Sequence, residues 1–510
     1  MQEILNSISQ VCTFEGIIVV AGGVLLGIIM GALPGISVNM AITLLFPFAY
    51  AVEGVNGINM LLGVMCGAIY GGSISAILLN TPGTPGSAAT MIDGYPLTRQ
   101  GQPGRALGMS TFASGIGGIL SCICLVFFSP LLAKLALKFS SLEYCAFAFF
   151  GISIISSLSS DSIIKGLICG VIGLLLTCIG VDPINGVARY SFNSHYLMGG
   201  ISFLPLLIGL LAFSRVLINV EDAFRKKRLN DKTVLNFDPK QKLKVFPERS
   251  DIKRCMPTIL GSSLLGTAIG CVPGTGGDIA CFIAYNEAKR FNRKHKEEFG
   301  HGAIEGVAAP EAANNGVSGG AMIPMLSLGI PGDGATAILL GALMIKGITP
   351  GPTLFSSEMG KVYQIFIGMG MANIFMIVIG FLILRWAVKV VKIPERFLLP
   401  LIVALCFIGT YSYGHTYTDL IVMVAGGVIG YFAIKHDFTM SSVVIGFILG
   451  SMTESNFRRY LLINDGDFMS IFDRPIAVAF FALSLITIFV PIIKKLKDEI
   501  KRSKNSGADA

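Results

Sequence analysis

A proline-glycine pair breaks an uncharged apolar helix twice in this chain, at Pro34-Gly35 and again at Pro273-Gly274, 239 positions further on. The glycines ahead of each break repeat at the same offset, Gly27 and Gly31 in the first half matching Gly266 and Gly270 in the second. A second break follows each, in Asn80-Thr81-Pro82-Gly83-Thr84-Pro85-Gly86 and in Gly329-Ile330-Pro331-Gly332-Asp333-Gly334. Proline removes a backbone donor and clashes with the preceding turn, and the glycine after it frees the chain to turn. In lipid the amides and carbonyls so released survive only where protein or a water-filled cavity covers them. Matched broken helices in two halves of a membrane protein point to a transporter's binding site.

The stretches around the breaks leave little choice but a membrane. Of the 510 residues 53% are hydrophobic and 14% charged, a balance that fits a polytopic membrane protein rather than a soluble fold. Apolar stretches at 16–33, 106–133, 362–384 and 476–493, and less uniform ones at 57–79, 144–160, 166–181, 198–214, 255–272, 397–413, 420–434 and 441–453, predict about 12 membrane segments, since roughly 20 residues cross a bilayer core. The fold class expected is an all-α polytopic membrane protein with Pro-Gly broken or re-entrant helices. The start, Met-Gln-Glu-Ile-Leu, lacks a basic n-region, so the first helix is read as retained. The cysteines have no metal-ligand spacing and read as small packing residues.

Charge sets the orientation. Eleven Lys and Arg residues lie between Glu221 and Arg254, and six follow Pro491; both segments, with the loop 385–396, are expected in the cytoplasm. Residues 1–15 carry neither Lys nor Arg, which places the N-terminus outside. The net charge of +8 is thus explained by orientation, without nucleic acid. The chain divides into a first membrane repeat (1–220), a basic linker (221–254), a second membrane repeat (255–493) and a basic tail (494–510). The repeats enter from opposite faces and are read as inverted; Lys134 and Lys138 run against this scheme.

A broken helix presents the amides and positive dipole end of its second half, a setting for an anion. Hydroxyls and amides beside the breaks suit a carboxylate. The substrate-binding set is read as Pro34, Gly35, Ser37 and Asn39; Asn80, Thr81, Pro82, Gly83, Thr84, Pro85 and Gly86; Pro273, Gly274 and Thr275; and Pro331 and Gly332. Asp278, at the position matching Asn39, and Asp333 are the candidates for a coupling cation. Glu311, Asn314 and Asn315, in a linker drawn over 291–315, read as helix-capping residues or as a lining of the site from below. Arg189 and His195 read as solvated residues of an external loop, or as attractors of substrate.

Enzyme motifs fail. Gly274-Thr-Gly-Gly-Asp lacks the third glycine of a dinucleotide fingerprint, Gly83-Thr-Pro-Gly-Ser lacks a P-loop lysine, and the five histidines are dispersed, so no catalytic, cofactor or metal site is expected. Two rival readings remain: a stand-alone carrier or channel, and an intramembrane enzyme acting on lipid phosphates.

The strings Gly31-Ala-Leu-Pro-Gly-Ile-Ser, Tyr70-Gly-Gly-Ser-Ile-Ser-Ala-Ile-Leu-Leu-Asn-Thr-Pro-Gly-Thr-Pro-Gly-Ser, Asp93-Gly-Tyr-Pro-Leu, Pro273-Gly-Thr-Gly-Gly, Glu305-Gly-Val-Ala-Ala-Pro-Glu-Ala-Ala-Asn-Asn and Gly329-Ile-Pro-Gly-Asp together resemble the large permease subunit of tripartite tricarboxylate transporters, the TctA family. The run Arg189-Tyr-Ser-Phe-Asn-Ser-His departs from the family's Arg-Phe-Thr-Phe-Gly. The resemblance implies a multi-pass protein of the bacterial inner membrane, partnered by a small membrane subunit (TctB-like) and a periplasmic solute-binding protein (TctC-like). It implies uptake of citrate-like tricarboxylates or other carboxylates by symport with Na⁺ or H⁺.

Overall fold

The structure, a computed structural model, describes residues 2–158, 163–182, 184–229, 245–384 and 395–506. Residues 230–244 of the basic linker, most of the loop 385–396 and the last residues of the tail, on which the orientation rests, lie outside these residues. Regular structure is almost entirely helical. The first half carries α1 (Gln2–Val11), α2 (Phe14–Ala32), α3 (Val38–Ala51), α4 (Asn56–Leu79), α5 (Ala88–Arg99), α6 (Pro103–Ala136), α7 (Ser141–Leu158) and α8 (Ile163–Thr177). An antiparallel ladder of β1 (Gly180–Val181) and β2 (Ala188–Arg189) follows, then α9 (His195–Met198), α10 (Phe203–Leu207) and, after a π-helical stretch, α11 (Ser214–Leu229). The second half carries α12 (Arg249–Gly270), α13 (Gly276–Phe291), α14 (Ile304–Leu328), α15 (Gly334–Ile345), α16 (Pro352–Ser357), α17 (Met359–Ile383), α18 (Glu395–Gly414), α19 (Tyr417–Lys435), α20 (Met440–Ile463) and α21 (Pro475–Ser506).

Among the described residues six helices are long and apolar enough to cross a membrane: α2, α4, α6, α17, α19 and the continuous helix Phe203–Arg225. The protein is a multi-pass membrane protein. The predicted stretches 144–160, 166–181, 397–413 and 476–493 correspond to shorter apolar helices. The linker drawn over 291–315 is corrected: α14 begins at Ile304 and is buried along its whole length. Its polar residues Glu311, Asn314 and Asn315 interrupt the apolar run and hide the helix from a hydropathy reading.

The chain forms two compact units, one of residues 1–137 with 203–431 and one of 138–202 with 432–510. The first unit contains all the Pro-Gly breaks. Its breaks come in pairs of like backbone shape. Between α2 and α3 the turn rests on Gly35 at φ +88°, and between α12 and α13 on Gly274 at φ +86°, a region that glycine enters without strain. α4 ends on left-handed Asn80 (φ 57°) and α14 on left-handed Gly329 (φ 74°), the usual way to close a helix C-terminus. Pro103 then opens α6 and Pro352 opens α16.

Small residues hold the helices together, as they do where lipid is as apolar as the side chains and close backbone approach supplies the attraction. Gly23, Gly27 and Gly31 of α2 face Met60, Val64 and Ala68 of α4, while Gly266 and Gly270 of α12 face Ala313 and Val317 of α14. In both pairs the numbers rise together, so the helices are parallel. Gly117 faces Ala312 and Gly319 faces Ser121, making α6 parallel to α14; Gly368 faces Asn59 and Gly380 faces Tyr70, making α17 parallel to α4. Gly115 against Ile377 and Gly118 against Asn373 make α6 antiparallel to α17. Thus α2, α4 and α17 point one way and α6, α12 and α14 the other.

The second unit packs α8 against α20 through Gly170, Gly173 and Gly446, and α7 against α21 through Phe147 and Phe480, ring centroids 4.7 Å apart. Beside its ladder Arg458 Nη1 reaches Asp182 Oδ2 at 2.7 Å and Glu454 at 3.1 Å, and Arg189 pairs with Glu454 and, at 3.7 Å, with Asp182. The Ile184 N–H and the Arg458 guanidinium hold the Asp182 carboxyl down at about 2. Arg189 is therefore an ion-pair residue rather than a freely solvated one, whereas His195 is exposed.

A Cβ at Gly27 would lie 2.4 Å from Val64 O, whereas one at Gly22, on the same helix, meets nothing within 4 Å. Gly27→Ala is expected to destabilise the protein by about 1–3 kcal/mol through overpacking, and Gly22→Ala to be neutral or stabilising by up to about 1 kcal/mol from helix propensity. Melting temperatures of the purified variants in detergent check both.

Candidate functional site

The breaks meet. In the first half the Gly83 N–H donates to Gly72 O at 3.1 Å, and a Cβ on Gly83 would lie 2.2 Å from Gly31 O, at the end of α2. In the second half the Gly274 N–H donates to Gly332 O at 2.6 Å, and a Cβ on Gly332 would lie 2.7 Å from Gly270 O. Each second break thus rests on the first break of its own half. Two asparagines join the halves. Asn314 of α14 lies between two breaks: a Cβ on Gly86 would be 2.7 Å from its Oδ1, and one on Gly277, at the start of α13, 2.3 Å. Asn39 of α3 lies against the start of α15, where a Cβ on Gly334 would be 2.5 Å from its Nδ2. All four breaks form one connected cluster, and glycine is required where their backbones approach.

The helix starts in the cluster differ in how their amides are satisfied. Ser37 Oγ accepts the Met40 N–H at 3.2 Å. Asp333 Oδ1 accepts the Thr336 N–H at 2.8 Å while Thr336 Oγ1 accepts the Asp333 N–H at 2.9 Å, a reciprocal capping box. At the matching first-half position the Ser87 hydroxyl donates to Thr84 O at 2.7 Å, and Thr84 Oγ1 is buried with no hydrogen-bond partner. Thr275 turns its hydroxyl backward, donating to Ile269 O and Val272 O at 2.6 and 2.8 Å, so it caps the end of α12 and does not cap α13. The start of α13, Gly276-Gly277-Asp278, like the Thr84–Ser87 start of α5, receives no cap from a preceding side chain, the arrangement that receives anions at helix N-termini.

Gly35, Asn80, Thr81, Pro85 and Asp278 are exposed; Pro34, Ser37, Asn39, Pro82, Gly274, Thr275 and Asp333 are half-buried; Gly83, Thr84, Gly86, Pro273, Pro331 and Gly332 are buried. Asp278 is open to solvent yet surrounded by protein, and within electrostatic reach of Asp333. The second half contributes both carboxylates, and the first half amides and hydroxyls at the matching places.

Sequence reasoning named Glu311 as a helix cap or a lining of the site from below, and missed the nest of hydroxyls around it. Glu311 does not cap a helix; it sits in the middle of α14, completely buried. Ser73 of α4 and Thr90 of α5 donate to its Oε1, the latter at 2.5 Å. Ser110 and Ser114 of α6 donate to its Oε2 at 3.0 and 2.8 Å. Four hydroxyls of the first half therefore surround one carboxylate of the second. The signal lay in the glycine register. Gly67 and Gly71 of α4 occupy the places of Gly316 and Gly320 of α14, which sets Glu311, Asn314 and Asn315 opposite Leu62, Met65 and Cys66. Nearby, Asp93 of α5 accepts the N–H groups of Gly300, Gly302 and Ala303 at 2.7–2.9 Å and the Tyr285 hydroxyl at 2.9 Å, fixing the entry to α14. Beside it Arg105 grips Asp251 through two 2.7 Å bonds, and Arg254 bonds Glu298 and Glu305 at 2.6 Å each. A groove of about 920 Å³ along α12 and α13, lined in part by Arg254, Ser262, Phe291, Arg293 and His295, holds none of the Pro-Gly residues.

The model of the "Tripartite tricarboxylate transporter TctA family" matches residues 17–445. The chain belongs to the TctA family. It is similar to the "Uncharacterized 52.8 kDa protein in TAR-I ttuC' 3'region" of Agrobacterium vitis, 35% identical over 482 residues that cover 94% of each chain. It is also similar to the "Uncharacterized protein in TAR-II ttuC' 3'region" of the same organism, 34% identical over 238 residues, 46% of this chain and 98% of that one. No solved structure matches. Membership makes this TctA protein a membrane component of a tripartite transporter, working with partner subunits.

Gly277→Ala drives a methyl onto the Asn314 amide and is expected to lower the melting temperature. Asn314→Ala removes the obstacle, and the double variant is expected to recover about 1 kcal/mol or more relative to the sum of the singles. A double-mutant cycle on the purified protein checks this, and strict additivity would separate the two residues.

Proposed function

We propose that this TctA protein is the permease of a secondary carboxylate importer, and that substrate crosses at the cluster of Pro-Gly breaks. One observation carries the reading: four breaks, contributed by helices that run in opposite directions in the two halves, join in one connected group. Opposed halves meeting at broken helices are the construction from which inverted-repeat transporters achieve alternating access. The uncapped start of α13 and the residues Ser37, Asn39 and Thr81 receive the substrate carboxylates. Asp278 and Asp333 hold the coupling cation. Thr275 contributes its backbone and its hydroxyl oxygen as an acceptor, because its proton is committed to the end of α12.

Loop chemistry supports the orientation. The starts of α6 and α12 and the connection before α14 are tied together by Arg105, Asp251, Arg254, Glu298 and Glu305, on the side of the basic linker. Lys346, just after α15, instead bonds Tyr50 O at 3.0 Å and Val52 O, in the connection that carries no basic residue. We place the first group in the cytoplasm of a bacterial inner membrane, the second outside, and a periplasmic binding protein and small membrane subunit as the partners.

Proteoliposomes holding the complete transporter and its binding protein, with labelled citrate and other di- and tricarboxylates, test the reading. A carboxylate is expected to accumulate under an imposed Na⁺ or H⁺ gradient and not with ATP alone. Asp278→Asn is expected to reduce that accumulation at least tenfold, and unchanged uptake with unchanged cation dependence would remove Asp278 from the mechanism.

A further inference from the structure

We infer that Glu311 is a reversible protonation site, closed off from solvent between the two halves, that takes up and releases one proton. Its surroundings suit both forms of the acid. Four hydroxyls, each with a single proton to give, saturate the lone pairs of the anion, as the bonds from Ser73, Thr90, Ser110 and Ser114 do here. When a proton arrives, one hydroxyl need only rotate from donor to acceptor. An arginine or lysine partner would lock the anion instead, and no such side chain pairs with Glu311 among the described residues. A metal ion would have to force apart hydroxyl and carboxylate oxygens that already touch, at 2.5–3.0 Å for Thr90, Ser110 and Ser114; a proton fits between them without displacement. An ionisable residue buried at such cost between the membrane-crossing helices α4 and α6 marks an ion or proton path more often than a structural element.

The site lies next to the break cluster. Glu311 is one helical turn from Asn314, which touches Gly86 and Gly277. The unpartnered hydroxyl of Thr84 lies against Gly72, the neighbour of the donor Ser73, so a break and the hydroxyl nest adjoin. The titratable or charged groups on the elements packed around α14 include Cys66 and Tyr70 on α4, Asp93 on α5, Arg105 and Cys122 on α6, Cys255 on α12, and Asp278, Cys281 and Tyr285 on α13; of these Tyr70 and Cys281 lie within electrostatic reach of Glu311. Tyr70 shares a 2.7 Å bond with Thr111, Asp93 is saturated by three backbone amides and Tyr285, and Arg105 is bound to Asp251. Glu311 is left as the carboxyl group whose partners are hydroxyls alone.

As a second coupling site, for a proton beside the cation held at Asp278 and Asp333, this site rests on the transport reading, but its protonation can be read without substrate. The purified transporter in lipid nanodiscs is titrated with acid and followed by infrared difference spectroscopy, with either sodium or choline chloride present. A protonated-carboxyl carbonyl band is expected to grow as pH falls, to be indifferent to sodium and to vanish in Glu311→Gln. Ser110→Ala removes one donor to the anion and is expected to move the midpoint of that band to higher pH, which keeps the test open if Glu311→Gln fails to fold. A band that survives Glu311→Gln, a midpoint unmoved by Ser110→Ala, or a carboxylate signal that follows sodium and not pH would overturn the inference. In vesicles Glu311→Gln is expected to retain citrate exchange while losing citrate-driven proton entry; loss of neither would overturn the coupling role. A wild-type protein that moves no carboxylate yet shows the Glu311 band would reject the transport reading and support the protonation site.

Discussion

A helix that breaks inside a bilayer releases amides and carbonyls that lipid cannot satisfy, and each break in this protein is covered by another. Gly83 rests on the end of α2, Gly332 on the end of α12, and Asn314 and Asn39 carry the contact across the halves. The rest of the unit follows from that need. Backbones must approach closely enough for one irregular segment to shield another, so the flanking helices are studded with glycine where they cross. The parallel packing of α2 on α4 and of α12 on α14 brings the two breaks of each half to one level, and α6 and α17 then join the halves.

Pseudo-symmetry in the backbone coexists with asymmetry in the chemistry. The paired turns share their positive φ values, but their side-chain caps differ, and the second half carries Asp278, Asp333 and Glu311 where the first has Asn39, Thr84 and Leu62. In the interior the hydroxyls of α4, α5 and α6 face the acid of α14. Acids come from one half and neutral donors from the other, so ionic events in the second half are felt directly by helices of the first.

The breaks, their pairing and the membrane character were legible because proline, glycine and long apolar runs act locally and leave a fixed imprint on sequence. α14 was not, since hydropathy averages Glu311, Asn314 and Asn315 into an apparent linker although all three are buried in the structure. The role of Thr275 was half legible: a threonine beside a break invites a ligand contact, but which carbonyl its proton seeks depends on the turn. The ion pair of Arg189 with Glu454 joins residues remote in sequence, and no local pattern announces it.

The contact between breaks of opposite halves is tested most directly by disulfide trapping in native membranes, in a protein whose own cysteines have been replaced. The pairs Asn39→Cys with Gly334→Cys and Gly86→Cys with Asn314→Cys bring side chains within the few ångströms that a disulfide spans. Both pairs are expected to cross-link readily under mild oxidation, and Asn39→Cys with Gly22→Cys not at all. Failure of both pairs to cross-link in a folded protein would contradict the convergence of the four breaks.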